Sequence, residues 1–447
     1  MIRDVRTWAG RVHTARPALA IRAAGVRAGW PVAIPLAGPI VAYLVLRQPA
    51  LGWPVLLALV AVPVALTRPD GIAVAVLPMS VISPLSRNGT QLLVAMVAVY
   101  AVGAVVVRWA AVPVAAPAPL GWPHAGVVGL LAVLLASSTE RGYAPPGQAL
   151  ASDFIGMVAG LVLLALVIAA PPAPGTAARV LVLTGGLAAG YALLSGSYDE
   201  GRLTGLGLGT NYLGALLALP LAAGVGLARA RGIAWLVPAA PCLVVVVQTH
   251  SRGALVAAAA GVAVAVISGR RRWVQAFGTV AALAAGAVCY LVANPLRDIA
   301  FGTRAASELS ANSAVRAEAA RVAFDVALAH PVRGIGYGMF PFYAMTDPRL
   351  GIYINTHDDY LRLAAEAGVA ALLLFLAVLV AGLTAPGAAL VPLRAAVVAG
   401  AVALLFANTL SDLGVEATFW VCLGCLLAHR RGTRTRPPSS TKEKIDA

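Results

Sequence analysis

The sequence predicts an all-α, polytopic membrane protein with about 12–14 transmembrane helices and one long, partly helical outer loop. Its 447 residues are 60% hydrophobic and only 11% charged, whereas soluble domains have about 45–50% apolar and about 25% charged residues. The apolar residues form runs of helical length along most of the chain. Residues 294–360 are one long polar interruption of these runs, and we expect the chemistry of the protein there.

Each predicted transmembrane helix is a block of Ala, Leu, Val and Gly bounded by Arg, Pro or Gly. A membrane-spanning helix needs roughly 20 predominantly apolar residues, and blocks without two-residue alternation are not typical of a β-barrel. The third window is short and contains proline, so the predicted number is twelve to fourteen. The windows are 30–47, 51–67, 71–86, 90–108, 122–138, 153–171, 178–195, 211–228, 233–248, 253–268, 274–293, 361–383, 395–411 and 413–428.

The distribution of positive charge predicts the orientation of these helices. Arginines are concentrated before the first apolar run and basic residues after the last, so both termini are expected in the cytoplasm by the positive-inside rule. The predicted location is the cytoplasmic (inner) membrane, with residues 294–360 outside. The predicted parts are a basic tail (1–29), helices 1–11 (30–293), the outer loop (294–360), helices 12–14 (361–428) and a second basic tail (429–447).

The formal net charge of +15 does not indicate a nucleic-acid partner, because the basic tails lack aromatic or motif support. Contact with anionic membrane lipids explains them better. All four cysteines lie in apolar runs. Cys422 and Cys425 have metal-site spacing but no second pair, so buried packing is the favoured interpretation.

Within the outer loop, Ser313 is the predicted cap of a helix that extends to about Ala329. A glycine-rich turn, Gly334 to Phe340, follows it. A second helix is expected from about His357 directly into the next transmembrane run.

Four polar clusters are expected at the outer face of the membrane. They are Arg202 to Asn211, Thr249 to Gly253, Arg316 with Arg321, and His357 to Gly368. A guanidinium at a membrane surface is costly unless it is paired or functional, and arginine binds phosphate through two parallel hydrogen bonds. A nearby imidazole can act as a general base. Taken singly, Arg252 is better explained as the end of a helix whose side chain extends to the headgroups, and His357 could equally be a helix-start residue.

In their order and spacing, these clusters resemble the O-antigen ligase and O-antigen polymerase family of bacterial envelope glycosyltransferases. The pattern is Arg202 to Asn211 before a helix, Ser251-Arg252-Gly253 between helices, Arg316 on a loop helix, Gly334-x-Gly-x-Gly338-x-Phe340, and His357-x-x-Tyr-Leu361 to Glu366-x-Gly368. The resemblance covers about residues 195–385. The preceding helices match only as hydrophobic segments.

This resemblance implies an enzyme that moves a saccharide from an undecaprenyl-diphosphate carrier to an acceptor hydroxyl at the outer face of the membrane. The acceptor would be a glycan, a lipid, a protein or a wall polymer. His357 matches the proposed catalytic base, and Arg252 and Arg316 match the arginines that hold the diphosphate. Arg202 matches a further basic position. Asp358, Tyr360 and Asn211 are second-tier candidates.

Asp358 departs from the family pattern, which often has Asn after the histidine. It would either raise the basicity of His357 or act as the base itself. No metal or cofactor is expected, since guanidinium groups take the place of a divalent cation. Asp358 with Asp359 leaves the question of a carboxylate site open.

Two other classes of function remain. A transporter or flippase of a lipid-linked sugar or another anion would use polar residues near the midplane of the membrane, and Asp412 with Glu416 are the best candidates for it. A non-catalytic scaffold would leave the arginine and histidine clusters unexplained.

Overall fold

The computed structural model describes residues 69–83, 93–98, 101, 122–138, 142–143, 151–268 and 306–434. All of them belong to one compact unit, residues 61–447. Residues 1–60 lie outside the described part of the chain. The same holds for the predicted helices 30–47, 51–67 and 274–293, for most of 90–108, and for residues 435–447 of the second tail.

The described residues are mostly helical, which confirms the predicted all-α class. The helices are α1 (Pro69–Ile82), α2 (Trp122–Ser137), α3 (Ala151–Ala169), α4 (Pro174–Ser195), α5 (Thr210–Arg231), α6 (Leu236–Gln248), α7 (Arg252–Ile267), α8 (Ala306–Ala329), α9 (Phe340–Thr346), α10 (Asp359–Ala367), α11 (Val369–Leu383), α12 (Val391–Ala403) and α13 (Leu413–Arg434). Short 3-10 turns lie at Ile233–Trp235 and Ala388–Leu390. A two-stranded antiparallel hairpin, β1 (Ser197–Asp199) and β2 (Arg202–Thr204), connects α4 to α5.

Two of the described helices, Pro174–Ser195 and Thr210–Arg231, are long and apolar enough to cross a membrane, and several apolar helices are shorter. On α4, Leu187 is 78% exposed and Leu194 is 91% exposed. Large apolar side chains facing outward are expected where lipid is the solvent. The number of membrane-spanning helices remains a prediction.

Helices α5, α7 and α12 pack against one another as the central group of the fold. Small residues allow this approach: a Cβ added at Gly261 of α7 would meet Ala222 Cβ at 2.6 Å and Ala395 O at 2.7 Å. An added Cβ at Gly214 of α5 would meet Ala254 Cβ at 2.6 Å. Small residues at helix contacts are typical of membrane proteins, where close van der Waals packing drives association.

Side-chain contacts join predicted outer connections to one another and predicted inner connections to one another. Arg362 binds Asp153 at one end of the helices. At the other end, Arg229 donates to Ala265 O and Arg430 donates to Ala381 O. This grouping agrees with helices that alternate in direction. Which end faces the cytoplasm remains a prediction.

Three differences from the predicted helix boundaries affect the candidate site. The loop helix begins at Ala306, not at Ser313. The predicted continuous helix 361–383 is two helices, α10 and α11, joined at Gly368, which has φ +90°. The predicted helix 395–411 ends at Ala403, and residues 404–412 form a non-helical segment that is largely buried. We call residues 404–412 the break segment.

Candidate active site

The N-terminus of α10 is held by Asp358. Its Oδ1 atom accepts hydrogen bonds from the N–H groups of Tyr360 (2.8 Å) and Leu361 (3.0 Å), which is the N-cap arrangement. Burial raises the pKa of the Asp358 carboxyl, and the two N–H donors act in the opposite direction. These bonds assign to Asp358 a structural task at the helix start.

His357, immediately before this cap, has a left-handed backbone with φ +56°. A non-glycine residue rarely adopts that conformation, and such strain is concentrated at functional sites. Burial, and then the positive charge of Arg316, lower the pKa of the imidazole to about 4. The ring is therefore neutral at pH 7 and carries a lone pair that can accept a proton. Within the described part of the chain, its ring nitrogens have no hydrogen-bond partner.

Arg316 lies on α8, which packs against α10. It is exposed, and its positive charge acts on His357, which lies just before the start of α10. Arg321, further along α8, is different: its guanidinium binds Glu318 of the same helix at 3.2 Å, and its side chain is 75% exposed. The positive charge of Arg316 therefore influences His357, whereas Arg321 pairs with a carboxylate of its own helix.

The other two predicted arginines belong to neighbouring connections. Arg202, at the start of β2, donates from Nε to Thr249 O and from Nη2 to Asn211 Oδ1, both at 3.1 Å. Arg252 is the first residue of α7, directly after the N-cap Ser251, whose Oγ accepts from Ala254 N. Arg202 therefore ties the hairpin to the connection that presents Arg252.

The break segment joins these two parts of the site. The Asp359 N–H donates to Leu404 O (2.8 Å), and Asp359 Oδ2 accepts from Thr409 N (2.7 Å) and Leu410 N (2.8 Å). On the other side, Tyr212 of α5 donates to Asn408 O at 3.3 Å. Asn408 in turn donates to Thr356 Oγ1 at 3.1 Å, next to His357. Arg202 and Arg252 are connected in this way to the α10 start.

Tyr360 contacts the helices α12 and α11. Its hydroxyl donates to Ala401 O of α12 at 2.7 Å, and its ring lies 5.8 Å from that of Phe375. These contacts place the side chain among the helices.

A buried ion network is part of the site that the sequence analysis did not identify. The Arg362 guanidinium binds Glu366 Oε2 (2.9 Å), Asp153 Oδ2 (2.6 Å) and Ser411 Oγ (3.1 Å). It also lies over the Tyr337 ring, with Cζ 5.2 Å from the centroid. The four-residue spacing of Arg362 and Glu366 could have indicated their pairing on one helix face. Nothing in the sequence marks Asp153, which lies 209 positions earlier.

The glycine-rich turn encloses the carboxylate of Glu366. The N–H groups of Gly338 and Phe340 donate to its two oxygens, each at 2.9 Å. Gly334, Gly336 and Gly338 all have positive φ, a backbone that turns successive N–H groups toward an anion. The turn and the Glu366-x-Gly368 motif therefore form one unit that fixes α10.

In a comparison with known families, the sequence model of the O-antigen ligase family matches residues 237–376. This range runs from α6 into α11 and includes Arg252, Arg316, His357 and Glu366. Arg202 lies before it. The match confirms the resemblance predicted from the sequence. A search of curated proteins finds no significant match.

Proposed function

We propose, from the match of residues 237–376 to the O-antigen ligase family, that this protein is a membrane glycosyltransferase. It transfers a saccharide from an undecaprenyl-diphosphate carrier to an acceptor hydroxyl at the outer face of the cytoplasmic membrane. The acceptor is a glycan, lipid, protein or wall polymer. Both termini lie in the cytoplasm in this proposal.

The observation that carries the proposal is the environment of His357, whose imidazole is influenced by the positive charge of Arg316. A half-buried imidazole on strained backbone, kept neutral beside a guanidinium, can accept a proton next to a bound anion. Arg252 and Arg202 lie at the same end of the helices. Perturbed pKa values beside specific charges are concentrated at functional sites.

In the proposed reaction, His357 takes the proton of the acceptor hydroxyl. The hydroxyl oxygen attacks the anomeric carbon and forms the new glycosidic bond. The bond from that carbon to the phosphate oxygen breaks, and its electron pair leaves with the lipid diphosphate. Arg252 and Arg316, together with Arg202, stabilise the developing negative charge, which is usually the largest contribution in catalysis of this kind.

The low pKa of free His357 is compatible with this role. A general base is most effective when its pKa lies near the working pH. Part of the lowering comes from Arg316, and a bound diphosphate would offset that positive charge. We therefore infer that the donor raises the basicity of the residue that activates the acceptor.

The transporter alternative receives less support from the residues that suggested it. Glu416 Oε1 accepts from Thr409 Oγ1 at 2.6 Å, and Asp412 Oδ1 accepts from Gly414 N at 3.0 Å. Both bonds hold the break segment and the start of α13. These contacts give the two carboxylates a structural explanation.

Lysine substitutions test whether the arginines bind a diphosphate through bidentate hydrogen bonds. Arg252→Lys and Arg316→Lys keep the charge and lose the two parallel hydrogen bonds. We expect each variant to reduce transfer from a purified lipid-linked donor by about tenfold or more, since a charge-assisted hydrogen bond contributes roughly 1.5–3 kcal/mol.

Arg321→Lys is the matched control, because Arg321 lies on the same helix as Arg316 and its guanidinium binds the carboxylate of Glu318 on that helix. It should transfer at the wild-type rate. Wild-type rates in the Arg252 and Arg316 variants would show that these residues do not bind the diphosphate and only anchor the protein at the membrane surface.

A further inference from the structure

We propose that a second site, a cleft between Tyr143 and residues 330–335, binds a pyranose residue of the glycan that the enzyme handles; this inference rests on the proposed function. The cleft has a volume of about 470 Å³. That volume lies within the range of about 300–1,000 Å³ found for small-molecule sites. His357 is not among the residues that line this cleft.

One wall of the cleft is aromatic. Tyr143 lies in the connection between α2 and α3, and 38% of it is exposed. Its ring meets the Tyr343 ring edge-on, with centroids 5.1 Å apart and planes at 78°. Tyr343 packs in turn on Phe340, which is fully buried. The Tyr143 ring is thus supported from behind while part of its surface remains open.

The other wall is formed by residues 330–335, which follow α8. His330 and Arg333 are exposed there and provide imidazole and guanidinium groups. A pyranose ring has an apolar face of C–H groups, which can lie on an aromatic ring, and a rim of hydroxyl or carboxylate oxygens, which accept from such donors. Val332 is largely exposed and adds an aliphatic surface to this wall. The combination suits a sugar better than an acyl chain.

Helix α10 fixes the distance between the cleft and His357. The cleft wall is attached to the C-terminal end of α10: Ile335 N donates to Ala365 O at 3.0 Å, and Val369 N donates to Pro331 O at 2.8 Å. His357 lies just before the N-terminal end. Nine helical residues are about 13 Å long, so one oligosaccharide can extend from the reacting sugar to the cleft. The cleft is therefore a position for a sugar distant from the bond that forms.

Binding to an array of bacterial surface glycans tests this inference with purified full-length protein in detergent. We expect wild type to bind a subset of the glycans, Tyr143→Ala to lose that binding by at least tenfold, and Tyr143→Phe to keep it because the ring remains. Arg333→Ala should weaken the same glycans. Unfolding temperatures of the variants should equal that of wild type. Binding of no glycan by wild type, or unchanged binding by Tyr143→Ala, would overturn the inference.

The binding measurement contains no lipid-linked donor and no transfer step, so its result is independent of the proposed reaction. If glycan binding depends on Tyr143 and no transfer occurs with any donor, the cleft remains and the proposed reaction fails. When transfer is measured, an increase in KM for the acceptor in Tyr143→Ala assigns the sugar to the acceptor. An increase for the lipid-linked donor assigns it to the donor.

Discussion

At the scale of single residues, His357 shows how environment decides chemistry. The histidine could be selected from the sequence because it follows a polar loop and precedes a helix. Its left-handed backbone and its neutral state could not, because they depend on burial and on Arg316, which lies 41 positions earlier. Asp358 illustrates the same limit. The sequence predicts that its carboxylate lies beside the histidine, but it does not predict that the carboxylate caps the helix.

The pKa of His357 gives a first prediction. Burial and Arg316 lower it to about 4, below the ordinary value of about 6.5. NMR titration of the histidine ring should show protonation near pH 4 in wild type. Arg316→Gln removes the positive charge, so the pKa should rise while staying below the ordinary value, since burial remains. Arg321→Gln should not change it. A wild-type pKa near 6.5 would contradict the buried placement.

The lowered pKa of His357 also makes the stability of the folded protein depend on pH. Between about pH 4 and 6.5 the unfolded chain binds a proton at this histidine that the folded protein does not bind. The contribution of His357 to the free energy of unfolding is therefore complete above about pH 6.5 and is lost as the pH falls toward 4. His357→Gln should show a smaller loss of stability from pH 7 to pH 5 than wild type.

Glu366 gives a second prediction at this scale. Glu366→Gln keeps the size of the side chain and removes the negative charge that pairs with Arg362. It also replaces one acceptor oxygen by an NH₂ group, which cannot accept from the N–H of Gly338 or Phe340. Breaking a buried ion pair costs about 3–5 kcal/mol. Unfolding in mixed micelles should reveal a loss of that size.

Glu318→Gln is the control for this measurement. Glu318 also pairs with an arginine on its own helix, but that arginine is 75% exposed, so its loss should cost at most about 1 kcal/mol. Equal effects of the two substitutions would contradict the buried network.

At the scale of elements, helices with uniform apolar character could be predicted from sequence, as α3, α5 and α7 show. The divided helix at Gly368 and the break segment could not. Both occur where tertiary contacts replace helical hydrogen bonds: Val369 N donates to Pro331 O, and Asp359 Oδ2 receives the N–H groups of Thr409 and Leu410. Apolar composition alone does not distinguish such segments from a continuous helix.

The glycine-rich turn gives a prediction at this scale. Gly334 has φ +66°, and a Cβ added there would collide with the backbone of Glu366. Gly334→Ala should therefore separate the turn from α10 and abolish transfer, with a large loss of stability. Gly351→Ala is the matched control: Gly351 has φ +61° and open space around an added Cβ. This substitution should lower the free energy of unfolding by only roughly 1–2 kcal/mol, the energy that a residue with a Cβ needs to adopt the left-handed conformation.

At the scale of the whole molecule, alternating helix direction brings connections distant in sequence to one end. Asp153, Arg202, Arg252 and His357 come from four different connections or helix starts. Their common location could be predicted from the order of apolar runs and the positive-inside rule. Their contacts through the break segment could not, since that segment was included in a predicted helix.

Labelling with a membrane-impermeant thiol reagent tests this topology. Cysteines placed at Ser197 and Ala389, both exposed in the structure, should differ in intact cells: the first should be labelled and the second should not. The native cysteines among the described residues are buried. Labelling at Ala389 and protection at Ser197 would place the candidate active site in the cytoplasm.

Single-turnover transfer from a purified undecaprenyl-diphosphate-linked saccharide, compared for wild type, His357→Ala and Asp358→Asn with and without EDTA, is the most direct test of the proposed mechanism. We predict that His357→Ala slows transfer by roughly two to four orders of magnitude, the usual contribution of general-base catalysis, while donor affinity changes little. Asp358→Asn should remain active, because asparagine can also cap a helix, and EDTA should have no effect. Wild-type rates in His357→Ala, or loss of transfer with EDTA, would contradict the assignment of His357 as the base of a metal-independent transferase.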